Sequence, residues 1–164
     1  MVSMSGIRKD QENKDRKGET GRAVSLLRAF FIGAAMALVW GALSYLLRLE
    51  SRFPSPAAGQ LFDRPLMVQV TLYGIVSPVL EEFLFRRLLF DLVKRIAPEY
   101  VSAVIVSALF ALWHGNMVQM LYAFPAGLIL QALRAASGRM EEPVLCHIGA
   151  NLTAIAVTAL SGGH

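Results

Sequence analysis

The stretch SPVLEEFLFRRL, residues 77–88, places two adjacent carboxylates in the middle of an apolar run and follows them closely with two arginines. Glu82 and Arg86 are four positions apart, so on a helix they can form an ion pair with the acid before the base. Glu81 is rotated by about 100° from Glu82 around the same helix. The spacing therefore predicts that Arg86 neutralises one glutamate and leaves the other free for chemistry.

The composition around this stretch is that of a membrane protein. Of the 164 residues, 55% are hydrophobic and 17% are charged, and the mean hydropathy is +0.49. A soluble domain of this size has too much surface to bury so many apolar side chains. The length favours one domain, and a single cysteine excludes an internal disulfide framework.

Five apolar segments can enter or cross a bilayer, for which about 20 residues are needed. They are residues 29–47, 66–96, 100–113, 117–133 and 144–160. The second is predicted to be a tilted helix that carries both glutamates and ends at the membrane interface. A turn-rich loop, RFPSPAAGQLFDRP at 52–65, separates it from the first. The segments predict an all-α fold, a polytopic transmembrane helical bundle of about five membrane helices with a buried polar site.

Residues 1–22 lack apolar periodicity and mix six basic with four acidic side chains. This pattern predicts a disordered tail rather than a nucleic-acid-binding arm. With the amino terminus in the cytoplasm, twelve or thirteen of the sixteen basic residues lie inside and three lie outside. We therefore expect a cytoplasmic tail over residues 1–22, one membrane domain over residues 23–164, and the carboxyl terminus outside.

Few polar side chains interrupt the apolar segments, and an ionisable group at membrane depth costs about 2.5–3.5 kcal/mol. Besides the glutamates, they include His114, His147 and Asn151. His147 and Asn151 are four positions apart and share one face of a helix. His114 is predicted near the outer end of its segment and His147 near the inner start of its own. These two can meet only if their helices are tilted, short or re-entrant.

Three motifs occur in order on three of the predicted segments: EEFLFR (81–86), FALWH (110–114) and HIGAN (147–151). They match the patterns E-E-x-x-x-R, F-x-x-x-H and H-x-x-x-N. With them the chain resembles the CPBP family, the CAAX-protease and bacteriocin-processing intramembrane proteases. The resemblance covers about residues 66–160. Each motif alone arises often by chance, whereas the three in order form a specific signal.

The resemblance implies a buried proteolytic site of the glutamic type. By motif position it assigns catalysis to four residues: Glu81 as the base that activates water, His114 as its assistant, and His147 and Asn151 as the groups that stabilise the oxyanion. It gives Glu82 and Arg86 a supporting role, and we interpret Phe110 as a packing residue.

No cofactor is expected for this mechanism. Zinc is the alternative, because Glu81, His114 and His147 could supply one carboxylate and two imidazole ligands. The compact H-E-x-x-H ligand pair of the zincins is absent from the sequence, however. The sequence therefore favours the metal-independent mechanism and leaves the other open.

The expected partners are the lipid bilayer and a membrane-associated peptide or protein substrate, prenylated or carrying a sorting tail, and no nucleic acid. We expect the protein in a bacterial inner (plasma) membrane. A different class of function is a non-catalytic immunity or interaction protein on the same scaffold, although a binder has no need for all four catalytic residues. The small residues of the first segment, from Gly33 to Ala42, suit helix packing within the chain or in a homo-oligomer.

Overall fold

A computed structural model describes residues 4–54 and 64–161, with side chains described from residue 15 onward. Its helices are α1 (Met4–Leu46), α2 (Leu49–Arg52), α3 (Leu66–Val93), α4 (Glu99–Trp113), α5 (Met117–Ser137) and α6 (Glu141–Leu160). No strand occurs within these two ranges. The predicted all-α fold is confirmed, and each predicted membrane segment lies largely on one of the five longer helices.

The bundle contains fewer full-length spans than the five segments suggested. In the described ranges three helices are long and apolar enough to cross a membrane: residues 15–46 of α1, the whole of α3, and α6. Helix α4 has only 15 residues and rises about 22 Å, which is less than the roughly 30 Å of a hydrocarbon core. Helix α5 has 21 residues but falls outside that apolar set, because polar residues such as Gln119, Gln131 and Arg134 interrupt it.

The structure of the amino-terminal region differs from the predicted disordered tail. Helix α1 begins at Met4 and crosses the predicted boundary between residues 22 and 23 without a break. Lys, Arg, Glu and Gln, which are good helix formers, are frequent in this stretch, and an existing helix is extended at little cost. Arg22, on this part of α1, forms an ion pair of 2.5 Å with Glu141 on α6. Residues 1–3, 162–164, and residues 55–63 of the turn-rich loop lie outside the described residues.

Helix α6 lies at the centre of the bundle and packs against α1, α3 and α5. Two glycines allow the backbones of α1 and α6 to touch. A methyl group at Gly33 would overlap the carbonyl group of Cys146, and one at Gly149 would overlap the carbonyl oxygen of Phe30. Gly33, on the predicted small-residue face, therefore serves a contact within the chain.

Helix α3 is not a regular α-helix. Residues Ser77–Glu82 are α-helical, and π-helical turns lie on both sides of them, at Gln69–Val76 and Phe83–Leu89. The backbone N–H of Ser77 donates to the carbonyl of Leu72, five residues back. Pro78 explains the first widened segment, because its ring clashes with a regular helical turn before it. The two glutamates thus lie at the end of a short α-helical stretch between two wider ones.

Candidate active site

Glu82 lies at the centre of a fully buried ion-pair network. Its carboxylate is 3.3 Å from the Nε of Arg86 on the same helix and 2.9 Å from the Nδ1 of His147 on α6. The side chains of Glu82 and Arg86 are at most 1% exposed. The ion pair predicted from the four-residue spacing is therefore present, and it also anchors the histidine of the third motif.

The guanidinium of Arg86 is held from two further sides. Its Nη2 donates to the carbonyl of Gly127 on α5 at 3.2 Å, and its Cζ lies 4.3 Å from the centre of the Phe110 ring on α4. Its own backbone carbonyl accepts a hydrogen bond from Arg134 on α5. Arg86 thus connects α3 to both helices of the α4–α5 hairpin.

Glu81 has a different environment from its neighbour. Its Oε1 accepts a hydrogen bond of 2.5 Å from the hydroxyl of Ser77, and its Oε2 lies 3.8 Å from the Nε2 of His147. Its side chain is 16% exposed, whereas that of Glu82 is fully buried. The adjacent carboxylates therefore have different environments: Glu82 is paired with Arg86, and Glu81 stays partly exposed beside the imidazole.

The two motif histidines meet at one cavity in spite of their predicted difference in depth. The cavity, about 30 Å³ in volume, is lined by residues that include His114, His147 and Asn151, and one water needs only about 10–15 Å³. Glu81 is not among the lining residues, but it reaches the ring of His147. The shortness of α4, at 15 residues, is one of the conditions under which the two histidines were expected to meet.

Phe110 lies between these two histidines. Its ring is edge-to-face with both imidazoles, at centroid distances of 4.9 Å to His114 and 5.6 Å to His147. Its backbone carbonyl also lies 2.8 Å from the Nδ1 of His114. Phe110 is buried, as expected of a packing residue, but the groups that it packs against are the polar residues of the site.

These contacts fix the tautomers of both histidines. A carbonyl or carboxylate oxygen only accepts, so the Nδ1 of His114 donates to Phe110 and the Nδ1 of His147 donates to Glu82. In the neutral rings each Nε2 then carries a lone pair. Each histidine therefore has one nitrogen that can accept a proton or a hydrogen bond.

Asn151 joins α6 to the first π-helical part of α3. Its Nδ2 donates to the carbonyl of Tyr73 at 2.8 Å, and the side chain also lines the cavity. An amide nitrogen carries a second hydrogen. Asn151 therefore anchors α3 and retains one N–H for another acceptor.

The alternative mechanism would need zinc held by Glu81, His114 and His147. Across the described part of the chain, no three His, Cys, Asp or Glu side chains are grouped so that they could hold a metal ion. The mechanism proposed for this site therefore uses side chains of the protein alone.

Two hydrogen-bonding partners in the site were not predicted from the sequence: the hydroxyl of Ser77, which binds Glu81, and the carbonyl of Tyr73, which binds Asn151. Ser77 lies four residues before Glu81, a spacing that is readable from the sequence. The carbonyl of Tyr73 had no signal in the sequence, because its availability depends on the π-helical register of α3.

Comparisons with known proteins place this chain in a family. Residues 63–153, more than half of the chain and including all three motifs, match the family described as type II CAAX prenyl endopeptidase Rce1-like. The chain belongs to this Rce1-like family. The resemblance seen in the three motifs is thereby confirmed.

A relative from Bacillus subtilis (strain 168), named "Putative membrane peptidase YdiL", is 29% identical over 87 residues. The match covers 53% of this chain and 35% of that protein, so the chain spans about a third of the length of this curated relative. No solved structure matches significantly. Rce1-like membership together with three membrane-length helices makes the chain an integral membrane protein of a protease family.

Proposed function

We propose that this protein is an intramembrane endopeptidase that hydrolyses a peptide bond of a membrane-associated substrate by a glutamate mechanism. The observation that carries the proposal is the position of Glu81. Its carboxylate is accessible, accepts a hydrogen bond from Ser77, and lies 3.8 Å from the Nε2 of His147. The second glutamate, Glu82, is instead paired with Arg86.

In the proposed reaction, Glu81 removes a proton from a water molecule and the resulting hydroxide attacks the carbonyl carbon of the scissile bond. His114, whose Nε2 carries a lone pair in the neutral ring, assists in orienting the water. The carbonyl oxygen becomes an oxyanion, which protonated His147 and the free N–H of Asn151 stabilise. When the C–N bond breaks, Glu81 returns its proton to the leaving nitrogen, which gives a carboxylic acid and an amine, and the acid then loses its proton to water.

The buried pair of Glu82 and Arg86 supports this arrangement. Glu82 accepts the Nδ1–H of His147 and so fixes the ring with its Nε2 toward Glu81. Glu82 and Arg86 are therefore proposed to orient the catalytic groups rather than to react.

For the substrate, we propose a peptide that reaches the site from the bilayer. The family is described by its action on prenylated CAAX termini, so prenylated carboxyl-terminal peptides come first in a test, followed by apolar sorting tails. The cavity lined by His114, His147 and Asn151 has a volume of only about 30 Å³, which is too small for a peptide. The bundle must therefore open to admit one.

The test is cleavage of prenylated and plain fluorogenic peptides by the purified protein in liposomes. We compare the parent chain with Glu81→Gln and with Glu50→Gln, a matched control at an exposed glutamate, each with and without a strong zinc chelator. Loss of cleavage in Glu81→Gln alone, indifferent to chelator, is the expected result. Loss with chelator and recovery with zinc would replace the glutamate mechanism by a metal one.

The enzyme function itself is tested in cells. Persistence of the full biological activity in cells that carry Glu81→Gln would overturn the protease proposal and favour a non-catalytic binding protein. The matched Glu50→Gln cells control for expression, which is measured by immunoblot of the membrane fraction.

A further inference from the structure

The hydroxyl of Ser77 makes an unusual hydrogen bond for a helical serine. Serine and threonine inside helices commonly donate back to a carbonyl three or four residues earlier. Ser102, Ser137 and Thr158 of this chain all donate to the carbonyl four residues back. Ser77 instead donates forward, to the carboxylate of Glu81 four residues later.

The acceptor that Ser77 would ordinarily use is the carbonyl of Tyr73, four residues back, and another helix binds this carbonyl. Asn151 on α6 donates its Nδ2–H to it at 2.8 Å. A hydroxyl has one proton to donate. Because Asn151 already uses one lone pair of the Tyr73 carbonyl, the Ser77 proton is better placed on a carboxylate, since hydrogen bonds to charged acceptors are the stronger ones.

The Tyr73 carbonyl is available to Asn151 because of the local sequence. In the π-helical register the N–H of Ser77 goes to Leu72, so it does not serve the regular bond to Tyr73. The next donor in that register, five residues after Tyr73, is position 78, and Pro78 has no N–H. Because of the wide turn and the proline, the carbonyl of Tyr73 receives neither of these two backbone hydrogen bonds within α3.

From this chain of contacts we propose that Ser77 is a positioning residue for Glu81, and that the Asn151–Tyr73 hydrogen bond keeps Ser77 in that role. Asn151 thereby couples α6, which carries His147, to the orientation of the carboxylate on α3. The proposal rests on the proposed function of Glu81 as the catalytic base.

The fixed geometry explains why a serine hydroxyl matters at a site that it does not enter. Ser77 holds Oε1 of Glu81, which leaves Oε2 as the oxygen nearest to His147. Without that bond the carboxylate turns freely about its terminal torsion, which is broad and has no preferred staggered position. Loss of such alignment slows the chemical step strongly, whereas it has little effect on the affinity for the substrate.

The variants for the test are Ser77→Ala, which removes the hydroxyl, and Ser77→Thr, which retains it. Ser102→Ala is the matched control, since it removes a buried serine hydroxyl that bonds only backbone carbonyls. In liposome cleavage assays, Ser77→Ala is expected to lower kcat by about tenfold to a hundredfold with KM unchanged. Ser77→Thr is expected to restore most of kcat, and Ser102→Ala to keep the parent values.

A second readout does not depend on activity. Infrared difference spectra between the parent and Glu81→Gln identify the carboxyl stretching band of Glu81. This band is expected to shift in Ser77→Ala and to return toward the parent position in Ser77→Thr. The shift shows that Ser77 holds the carboxylate, even where no peptide in the panel is cleaved and the proposed protease function fails.

The proposal is overturned if kcat is unchanged in Ser77→Ala, or if the Glu81 band stays in place. It is also overturned if kcat and KM fall together in Ser77→Ala and Ser102→Ala without rescue by threonine, since that pattern reports a general packing effect. A lower kcat with constant KM, threonine rescue and a shifted band supports it.

Discussion

The Nδ1 of His147 lies 2.9 Å from the Oε1 of Glu82, so the histidine on α6 is bound by the second glutamate of the pair and not by the first. The same ring reaches Glu81 with its other nitrogen, at 3.8 Å. One imidazole therefore separates a carboxylate that is fixed by Arg86 from one that is accessible. Adjacent, chemically identical residues are thus held in two different environments.

The first prediction concerns the buried charge of Arg86. Glu82→Gln removes the carboxylate that lies 3.3 Å from the Nε of Arg86 and leaves a guanidinium that is 1% exposed. Removing one member of a buried pair costs about 3–5 kcal/mol, so we expect the free energy of unfolding to fall by about that amount. Unfolding in mixed detergent micelles, followed by circular dichroism, measures it.

The control for this measurement is the exposed ion pair of Arg87 and Asp91, at 3.4 Å. Arg87→Gln is expected to change the free energy of unfolding by less than about 1 kcal/mol, because exposed pairs contribute little. Equal effects of Glu82→Gln and Arg87→Gln would show that the buried network does not stabilise the bundle.

The second prediction concerns the contact between α1 and α6. Gly33→Ala and Gly149→Ala each insert a methyl group where the partner helix presents its backbone, and overpacking typically costs about 1–3 kcal/mol. We expect both to lower the free energy of unfolding by this amount. Gly41 belongs to the same set of small residues, but a methyl group added there would meet no atom of a neighbouring element within 4 Å. Gly41→Ala is therefore expected to leave the free energy of unfolding unchanged or to raise it slightly.

Much of this structure could be predicted from the sequence, because the signals were local. Apolar length predicted the positions of the five longer helices, and the four-residue spacing of Glu82 and Arg86 predicted their ion pair. The spacing of His147 and Asn151 likewise predicted that both would face one site, and both line the cavity.

The remaining features depend on tertiary structure. The length of α1 was missed, because a mixed-charge stretch can extend a helix that is already formed. The π-helical turns of α3 were missed as well, although Pro78 was visible in the sequence, since the register that a proline imposes depends on the packing around it. The bond between Asn151 and the carbonyl of Tyr73 follows from that register and could not be predicted earlier.

The third prediction tests the orientation that the basic residues indicate. Single cysteines are introduced at Lys17 and Ser161 in a Cys146→Ala background, which removes the native thiol. A membrane-impermeant maleimide is expected to label position 161 in intact spheroplasts and position 17 only in inside-out vesicles. The reverse pattern would place the amino terminus outside, and labelling of both positions from one side would mean an even number of crossings.

The last prediction concerns Phe110, whose ring contacts the guanidinium of Arg86 and the imidazoles of His114 and His147. Phe110→Leu keeps an apolar side chain at a buried position but removes the aromatic faces and edges. The imidazoles of His114 and His147 then lose the aromatic contact that limits their rotation, and the guanidinium of Arg86 loses its cation–π contact. We expect kcat for peptide cleavage to fall at least about tenfold, as misplaced catalytic groups do.

Phe83→Leu provides the matched control, because Phe83 lies on α3 close to the glutamates but is 54% exposed on the outer surface of the bundle. It is expected to leave kcat unchanged. If Phe110→Leu also retains the parent kcat while only the free energy of unfolding falls, the ring serves packing alone, as its sequence pattern indicated. A fall in kcat at a temperature where both variants are fully folded would instead show that the phenylalanine of the second motif orients the catalytic histidines.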